Sequence, residues 1–218
     1  ANVPHIFNRG IDWFRSIGPA DGPGPKLYCI SGRVKKPGVY EEAMGIPLKE
    51  LIYDRAGGIT DDRELKAVFP GGSSAPILTA EEAENLNMDY TSVSKANSML
   101  GSAGIIVMDE TVDMVKACLN IARFYAHESC GQCTPCREGT TWLVKILTRL
   151  YHGFGTRRDI EMLLEITENI GGLADFSLGS FGKTICPFGE AVAWPVRSFV
   201  EKFKSEFVAC VEQRGAVV

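Results

Sequence analysis

The chain has 218 residues, enough for one large or two small domains with cores of their own. Apolar and charged fractions of 45 % and 23 % are those of a folded globular protein and exclude extended disorder. A net charge of −4, with no Lys/Arg cluster beyond a few residues, argues against nucleic acid as the main partner.

The N-terminus, Ala1-Asn2-Val3-Pro4-His5, has neither an initiator Met nor a basic stretch followed by an apolar one. It reads as a processed chain or a piece of a longer polypeptide, without a signal peptide. Apolar residues at Val3, Ile6, Phe7, Ile11, Trp13, Phe14 and Ile17 follow a helical period. The Gly/Pro-rich stretch 18–25 ends that helix, so residues 1–25 read as a first helix and a linker.

From Lys26 the period changes to two. Leu27 to Val34 is a strand, Lys35-Lys36-Pro37-Gly38 a turn, and Val39 to Glu41 the return strand. Pro47 to Ala56 reads as a short helix stopped by Gly57-Gly58. Further strands are expected at Lys66 to Phe69, Pro76 to Leu78 and Gly104 to Asp109, giving a small mixed sheet with one helix on it over residues 26–109. Gly71 to Pro76 lacks the Gly-Lys-Ser/Thr end of a phosphate loop and reads as a plain turn. Glu81-Glu82-Ala83-Glu84 reads as a solvated acidic face, and no dinucleotide fingerprint follows a strand.

After Asp109 the pattern is helical: Thr111 to Ala126, Arg137 to His152, Thr156 to Ile170 and Glu190 to Gln213, each with an apolar stripe. Short connections favour a four-helix bundle over residues 110–218, with Pro195 kinking the last helix. Apolar runs such as Ile105 to Met108 stop far short of the ~20 residues that span a bilayer, so the chain is expected to be soluble. The fold class is therefore α+β, a sheet domain followed by an all-α domain.

Seven cysteines, an odd number without a secretion signal, favour metal binding over a disulfide framework. Cys29, Cys118 and Cys210 lie in apolar-periodic segments and read as small core residues. Cys130, Cys133 and Cys136 are each separated by two residues, and Gly131 and Pro135 are expected to keep the backbone between them out of a helix. Such a loop can turn three sulfurs toward one point. With a fourth ligand from far along the chain, this is the spacing of a cubane [4Fe–4S] cluster; a structural zinc, which more often uses two separate Cys-x-x-Cys knuckles, is the rival. Cys186, in a Cys-Pro context outside any helix interior, is a better fourth candidate than Cys118 or Cys210. The second bundle helix would begin near Cys136 and point its positive dipole end at the cluster, with Arg137 adding a cation. His127 reads as a helix-end residue, His5 and His152 as surface groups.

The stretch 128–140, Glu-Ser-Cys-Gly-Gln-Cys-Thr-Pro-Cys-Arg-Glu-Gly-Thr, together with Ile-Cys-Pro-Phe-Gly-Glu-Ala-Val-Ala-Trp-Pro-Val at 185–196, resembles the NADH-binding flavoprotein subunit of respiratory complex I. Diaphorase subunits of NAD-linked hydrogenases and formate dehydrogenases share the module. Residues 31–41 and 71–74 resemble that subunit's central β-grasp domain of the soluble-ligand-binding type, and residues 1–4 the segment just after its flavin domain. The resemblance implies a β-grasp followed by a four-helix iron–sulfur domain, with cluster ligands Cys130, Cys133, Cys136 and Cys186 and with Pro187 and Phe188 beside the flavin. NADH would reduce FMN, the FMN would feed the cluster one electron at a time, and clusters in partner subunits would carry the electrons on to quinone. Those partners would be the thioredoxin-like 2Fe–2S subunit and the large iron–sulfur subunit. No side chain would act as a catalytic acid or base. The setting implied is the cytoplasmic peripheral arm of a membrane-bound respiratory complex, or the matrix side in a mitochondrion. The family's FMN and NADH domain is absent, so the chain is not expected to turn over alone, and residues 1–25 would be its remnant. The interval from Cys136 to Cys186 looks longer than the family's, with the excess at 172–180. A hydrogenase or formate dehydrogenase diaphorase, and a non-redox scaffold stabilised by metal, are the alternative readings.

Overall fold

The protein is described from a computed structural model, over residues 2–172 and 183–212. It divides into two compact units, residues 1–72 with 78–110 and residues 73–77 with 111–218.

The first unit opens with two short helices, α1 (Val3–Arg9) and α2 (Ile11–Arg15), where the sequence suggested one. Gly10, with φ 90°, turns the chain between them into a conformation that a helix cannot contain. A mixed five-stranded sheet follows, in the order β2-β1-β5-β3-β4. Its strands are β1 (Pro25–Gly32), β2 (Gly38–Ala43), β3 (Leu65–Phe69), β4 (Leu78–Thr79) and β5 (Gly104–Asp109). Strand β1 runs parallel to β5 and antiparallel to β2, and β3 is antiparallel to both β5 and β4. Alternation along β1 sends Tyr28 and Ile30 into a core with Leu48, Leu51, Ile52, Val68, Met88, Ile105 and Val107. Cys29 points the other way and is exposed, which corrects its reading as a core residue. Tyr28 is anchored by donating its hydroxyl hydrogen to the Met88 carbonyl at 3.0 Å; burial, then Asp89, pushes its pKa up to about 12.

The expected helix from Pro47 is a single α-turn, α3 (Leu48–Glu50), that widens into a π-helical turn over Leu51–Arg55. Two short helices were not foreseen. Helix α4 (Ala80–Ala83) is closed by a capping box between Thr79 and Glu82, so one of the acidic residues read as plain surface caps a helix. Helix α5 (Tyr90–Lys95) is capped by Asp89, which accepts from the Ser92 amide. The strand expected at Pro76 to Leu78 begins only at Leu78, because the Ile77 amide donates to the Ser198 hydroxyl and Pro76 has no amide to give.

The second unit is helical. Its elements are α6 (Met114–Glu128), α7 (Thr134–Tyr151), α8 (Arg157–Gly171), α9 (Phe188–Lys202) and α10 (Lys204–Glu212). The fourth expected helix is thus two helices that part at Phe203 (φ −114°, ψ 30°), whereas Pro195 lies within α9. Ser198 donates to the Pro195 carbonyl at 2.7 Å while accepting from Ile77. The apolar stripes meet: Val115, Cys118, Leu143, Leu147, Leu150, Leu163, Val192, Val196, Phe199 and Phe207 are all fully buried. Each such Val, Leu or Phe side chain contributes roughly 1.5–3 kcal/mol relative to staying in water. Among the described residues no helix is long and apolar enough to cross a membrane. Nearly all of the 172–180 stretch lies outside the described residues.

Asp159, at the start of α8, holds one corner of this unit. Its carboxylate accepts from the Thr156 amide at 2.7 Å and hydroxyl at 2.9 Å and from the Arg149 guanidinium at the end of α7. Burial raises its pKa, but the Thr156 and Arg149 bonds outweigh that and hold it below the ordinary carboxylate value. Asp159→Ala should therefore cost about 2 kcal/mol, the scale of a lost cap plus charge-assisted bonds, in denaturant unfolding at neutral pH. A depressed folded-state pKa gives stability that is present above the unfolded value and lost as pH falls through the folded one. Wild type and variant should therefore converge in strong acid; a gap that does not narrow there would exclude the charge as its source.

Candidate metal centre

Helix α6 ends at Ser129, whose extended backbone (φ −61°, ψ 124°) leads the chain out of the helix. Gly131, at φ 78°, then reverses it. Cys133 is the N-cap of α7, and its carbonyl accepts the first helical bond, from the Arg137 amide at 2.9 Å. Pro135 does not interrupt a helix here. It lies in the first turn of α7, where its missing amide would have had no partner anyway. Cys136 consequently sits on that first turn, buried at 6 % exposure, while Cys130 is exposed and Cys133 half-buried. Arg137 folds back over the loop, donating to the Gly131 carbonyl at 3.2 Å and to Glu138 at 2.9 Å.

Cys186 arrives from the other direction, just ahead of α9. The Lys183 amide donates to the Ile170 carbonyl at 3.2 Å, and the Thr184 hydroxyl donates to the Cys186 carbonyl at 2.8 Å. Pro187 then occupies the N-cap position of α9, its carbonyl accepting from the Ala191 amide at 3.1 Å. The Ile185 amide donates to Cys133 Sγ at 3.3 Å, which stitches the second loop to the first. All four cysteines line one cavity of about 110 Å³, with Gln132, Thr184, Phe188 and Gly189 among its other walls. One water-sized sphere needs only ~10–15 Å³, so the space suits a group of several atoms. Among the described residues no group of three or more His, Cys, Asp or Glu is placed to hold a metal ion. A cubane cluster takes one thiolate per iron, so four cysteines lining one space match the number of ligands such a group needs.

The electrostatics point the same way. Burial pushes the Cys136 thiol up and the Ser129 hydroxyl opposes it, while Cys130, Cys133 and Cys186 each push it further up. Four thiolates here would repel one another, and bound cations would relieve that. The positive ends of α7 and α9 both begin at this cavity and favour negative charge within it.

The remaining candidates separate cleanly. Cys118 is fully buried, which pushes its thiol well up, and Cys210 is half-buried and raised by the same cause; neither lines the cavity. His127 is exposed and 4.0 Å from Glu128. Pro187 is exposed, whereas Phe188 is half-buried in the cavity wall, edge-to-face with Tyr125 at 5.6 Å. Tyr125 pairs through its hydroxyl with Ser73 at 3.2 Å. Sequence reasoning missed Ser129, Thr184, Gly189 and Tyr125. Gly189 carried a signal, a glycine just after Cys-Pro-Phe, because a Cβ there would lie 2.3 Å from Thr184 Oγ1 and 3.1 Å from the Ile170 carbonyl.

Residues 116–210 match the NADH-ubiquinone oxidoreductase-F iron–sulfur binding region, and residues 26–107 match the SLBB domain. The chain is 49 % identical over 214 residues to the second F-type subunit of the NADH-quinone oxidoreductase of Rhizobium meliloti (strain 1021), covering 98 % of this chain and 48 % of that protein. This chain corresponds to the SLBB and iron–sulfur binding regions of NADH-quinone oxidoreductase F-subunits. The F-subunit of Rickettsia bellii (strain OSU 85-389) is 46 % identical over 97 % of the chain and 49 % of its own length. Among solved structures, an NAD+-reducing [NiFe]-hydrogenase in the air-oxidised state matches with a TM-score of 0.79 and 32 % identity, over 95 % of this chain and 33 % of that one. The chain spans about half the length of the curated F-type relatives it matches.

Gly189→Ala should force the Cys186 loop off α8, at a cost of about 1–3 kcal/mol for overpacking, and lower the iron bound per chain. Wild-type stability and iron content in that variant would show that this close approach does not place Cys186.

Proposed function

We propose that Cys130, Cys133, Cys136 and Cys186 hold a [4Fe–4S] cluster, and that the chain is the electron-exit part of an NADH:quinone oxidoreductase. The observation that carries this reading is the shared cavity lined by all four cysteines, in a chain whose helical region belongs to an iron–sulfur binding family. When bound, such a group takes up and gives up one electron at a time. The work of the chain's own residues is positional. Two helix starts supply positive potential, Phe188, packed edge-to-face on Tyr125, walls off one side, and the Ile185 amide and Ser129 hydroxyl lie against the proposed ligand sulfurs. No proton transfer by a side chain is needed.

In this proposal the FMN and NADH sites are supplied by sequence corresponding to the other half of the relatives, with Pro187 and Phe188 toward the flavin. Electrons leave to clusters in a thioredoxin-like 2Fe–2S subunit and a large iron–sulfur subunit, in the peripheral arm on the cytoplasmic or matrix side of the membrane. The match to an NAD+-reducing hydrogenase favours a second reading, a diaphorase module with hydrogenase subunits as partners.

The test is iron and acid-labile sulfide in the anaerobically purified chain, with an EPR spectrum after dithionite reduction. About four of each per chain and a reduced-cubane spectrum are expected, and Cys133→Ser should abolish both while the sheet unit stays folded. Stoichiometric zinc without sulfide, persisting after reconstitution with iron and sulfide, would leave a structural metal domain and remove the relay reading.

A further inference from the structure

We propose that the Ser129 hydroxyl is a positioning group that raises the cluster's readiness to accept an electron, by donating a hydrogen bond to the Cys136 sulfur. The inference rests on the cluster assignment above and adds a residue to it. Ser129 Oγ lies 3.3 Å from Cys136 Sγ, a full hydrogen-bonding distance for sulfur. In the free thiol either atom can donate. Two facts fix the direction once the site is loaded. The Gly131 amide donates to Ser129 Oγ at 3.4 Å, occupying one of its lone pairs and leaving its proton for another acceptor. A metal-bound cysteine is a thiolate, with no proton of its own to give.

Cys136 is the most buried of the four cysteines, so a donor at its sulfur acts where water screens least. Reduction adds one negative charge to the unit of cluster and thiolates. A donor aimed at a ligand sulfur therefore stabilises the reduced form more than the oxidised one. The Ile185 amide plays the same part at Cys133 from the opposite loop, but being backbone it cannot be removed without disturbing the chain. Ser129 can be changed. Its backbone amide caps α6 on the Tyr125 carbonyl at 3.1 Å, a bond that a side-chain substitution leaves in place.

The experiment is an EPR-monitored redox titration of the anaerobically reconstituted chain and its Ser129→Ala and Ser129→Thr variants, with iron and sulfide measured on each. Ser129→Ala should keep its iron and lower the reduced-to-oxidised ratio at a fixed potential about tenfold, ~59 mV in midpoint for a one-electron couple. Ser129→Thr, which keeps the hydroxyl, should restore the wild-type midpoint. A fully loaded Ser129→Ala with an unchanged midpoint overturns the proposal. If that variant loses iron, the loaded wild type decides. Double-resonance spectra before and after exchange into D2O must show a hydroxyl proton coupled to the reduced cluster that persists in Ser129→Thr, and its absence overturns the proposal. Failure of the wild type to bind iron and sulfide sinks the cluster assignment itself, a distinguishable result.

Discussion

The iron–sulfur region depends on one close approach of backbone to backbone, between the end of α8 and the start of α9. A Cβ on Gly171 would lie 2.5 Å from the Ala193 Cβ and 2.9 Å from the Gly189 carbonyl oxygen, and one on Gly189 would strike Thr184. With no side chains there, the two helix ends close together, and the Lys183 amide reaches the Ile170 carbonyl. The turn carrying Cys186 is thereby tied to α8 on one side and continues into α9 on the other. The Ile185 amide can then meet the Cys133 sulfur. The four cysteines proposed as ligands, drawn from two distant stretches of chain, are brought together by helix packing, and the fully buried stripe of Leu143, Leu147, Leu163, Val192, Val196 and Phe199 supplies the free energy for that packing.

What the sequence made legible follows from which signals are local. Three cysteines at intervals of three, and a Cys-Pro at the head of a helical stripe, are visible without coordinates, and the four thiols do share a cavity. The mixed sheet and the succession of amphipathic helices were equally legible, because their apolar periods run over many residues. Signals confined to one residue were harder to weigh. Gly10 breaks the first helix, and Phe203 breaks the last, though Pro195 looked the stronger breaker. The Pro76 strand was lost to a contact no pattern announces, a bond from the Ile77 amide to a serine far along the chain. Pro135 was misread because proline interrupts a helix interior but is welcome in a first turn, and the start of α7 could only be fixed by locating its cap. Cys29 was misjudged for a different reason. An alternating strand places a cysteine on either face according to register, and Tyr28 and Ile30 had already claimed the inner one.

The supporting residues of the site were the least legible part, since they matter through contacts and not through type. Ser129 next to a cysteine is ordinary in a sequence; its role appears only when the left-handed turn at Gly131 brings its hydroxyl between an amide and a sulfur. Tyr125 belongs to the apolar stripe of α6 and reads as core, yet its ring packs on Phe188 at the cavity wall.

The cavity is uneven in a way that suits a relay. Cys136 is sealed in the first turn of α7, whereas Cys130 and Cys186 are exposed. Charge added to a group held in such a frame meets an unequal response, because at the buried Cys136 water screens least and fixed dipoles matter most. The donors lie where that argument needs them. A side-chain hydroxyl serves the buried Cys136, a backbone amide serves the half-buried Cys133, and two helix starts face the space between. A site whose compensating dipoles are already in place has little reorganisation to undergo, and that condition favours fast one-electron exchange over chemistry at any side chain.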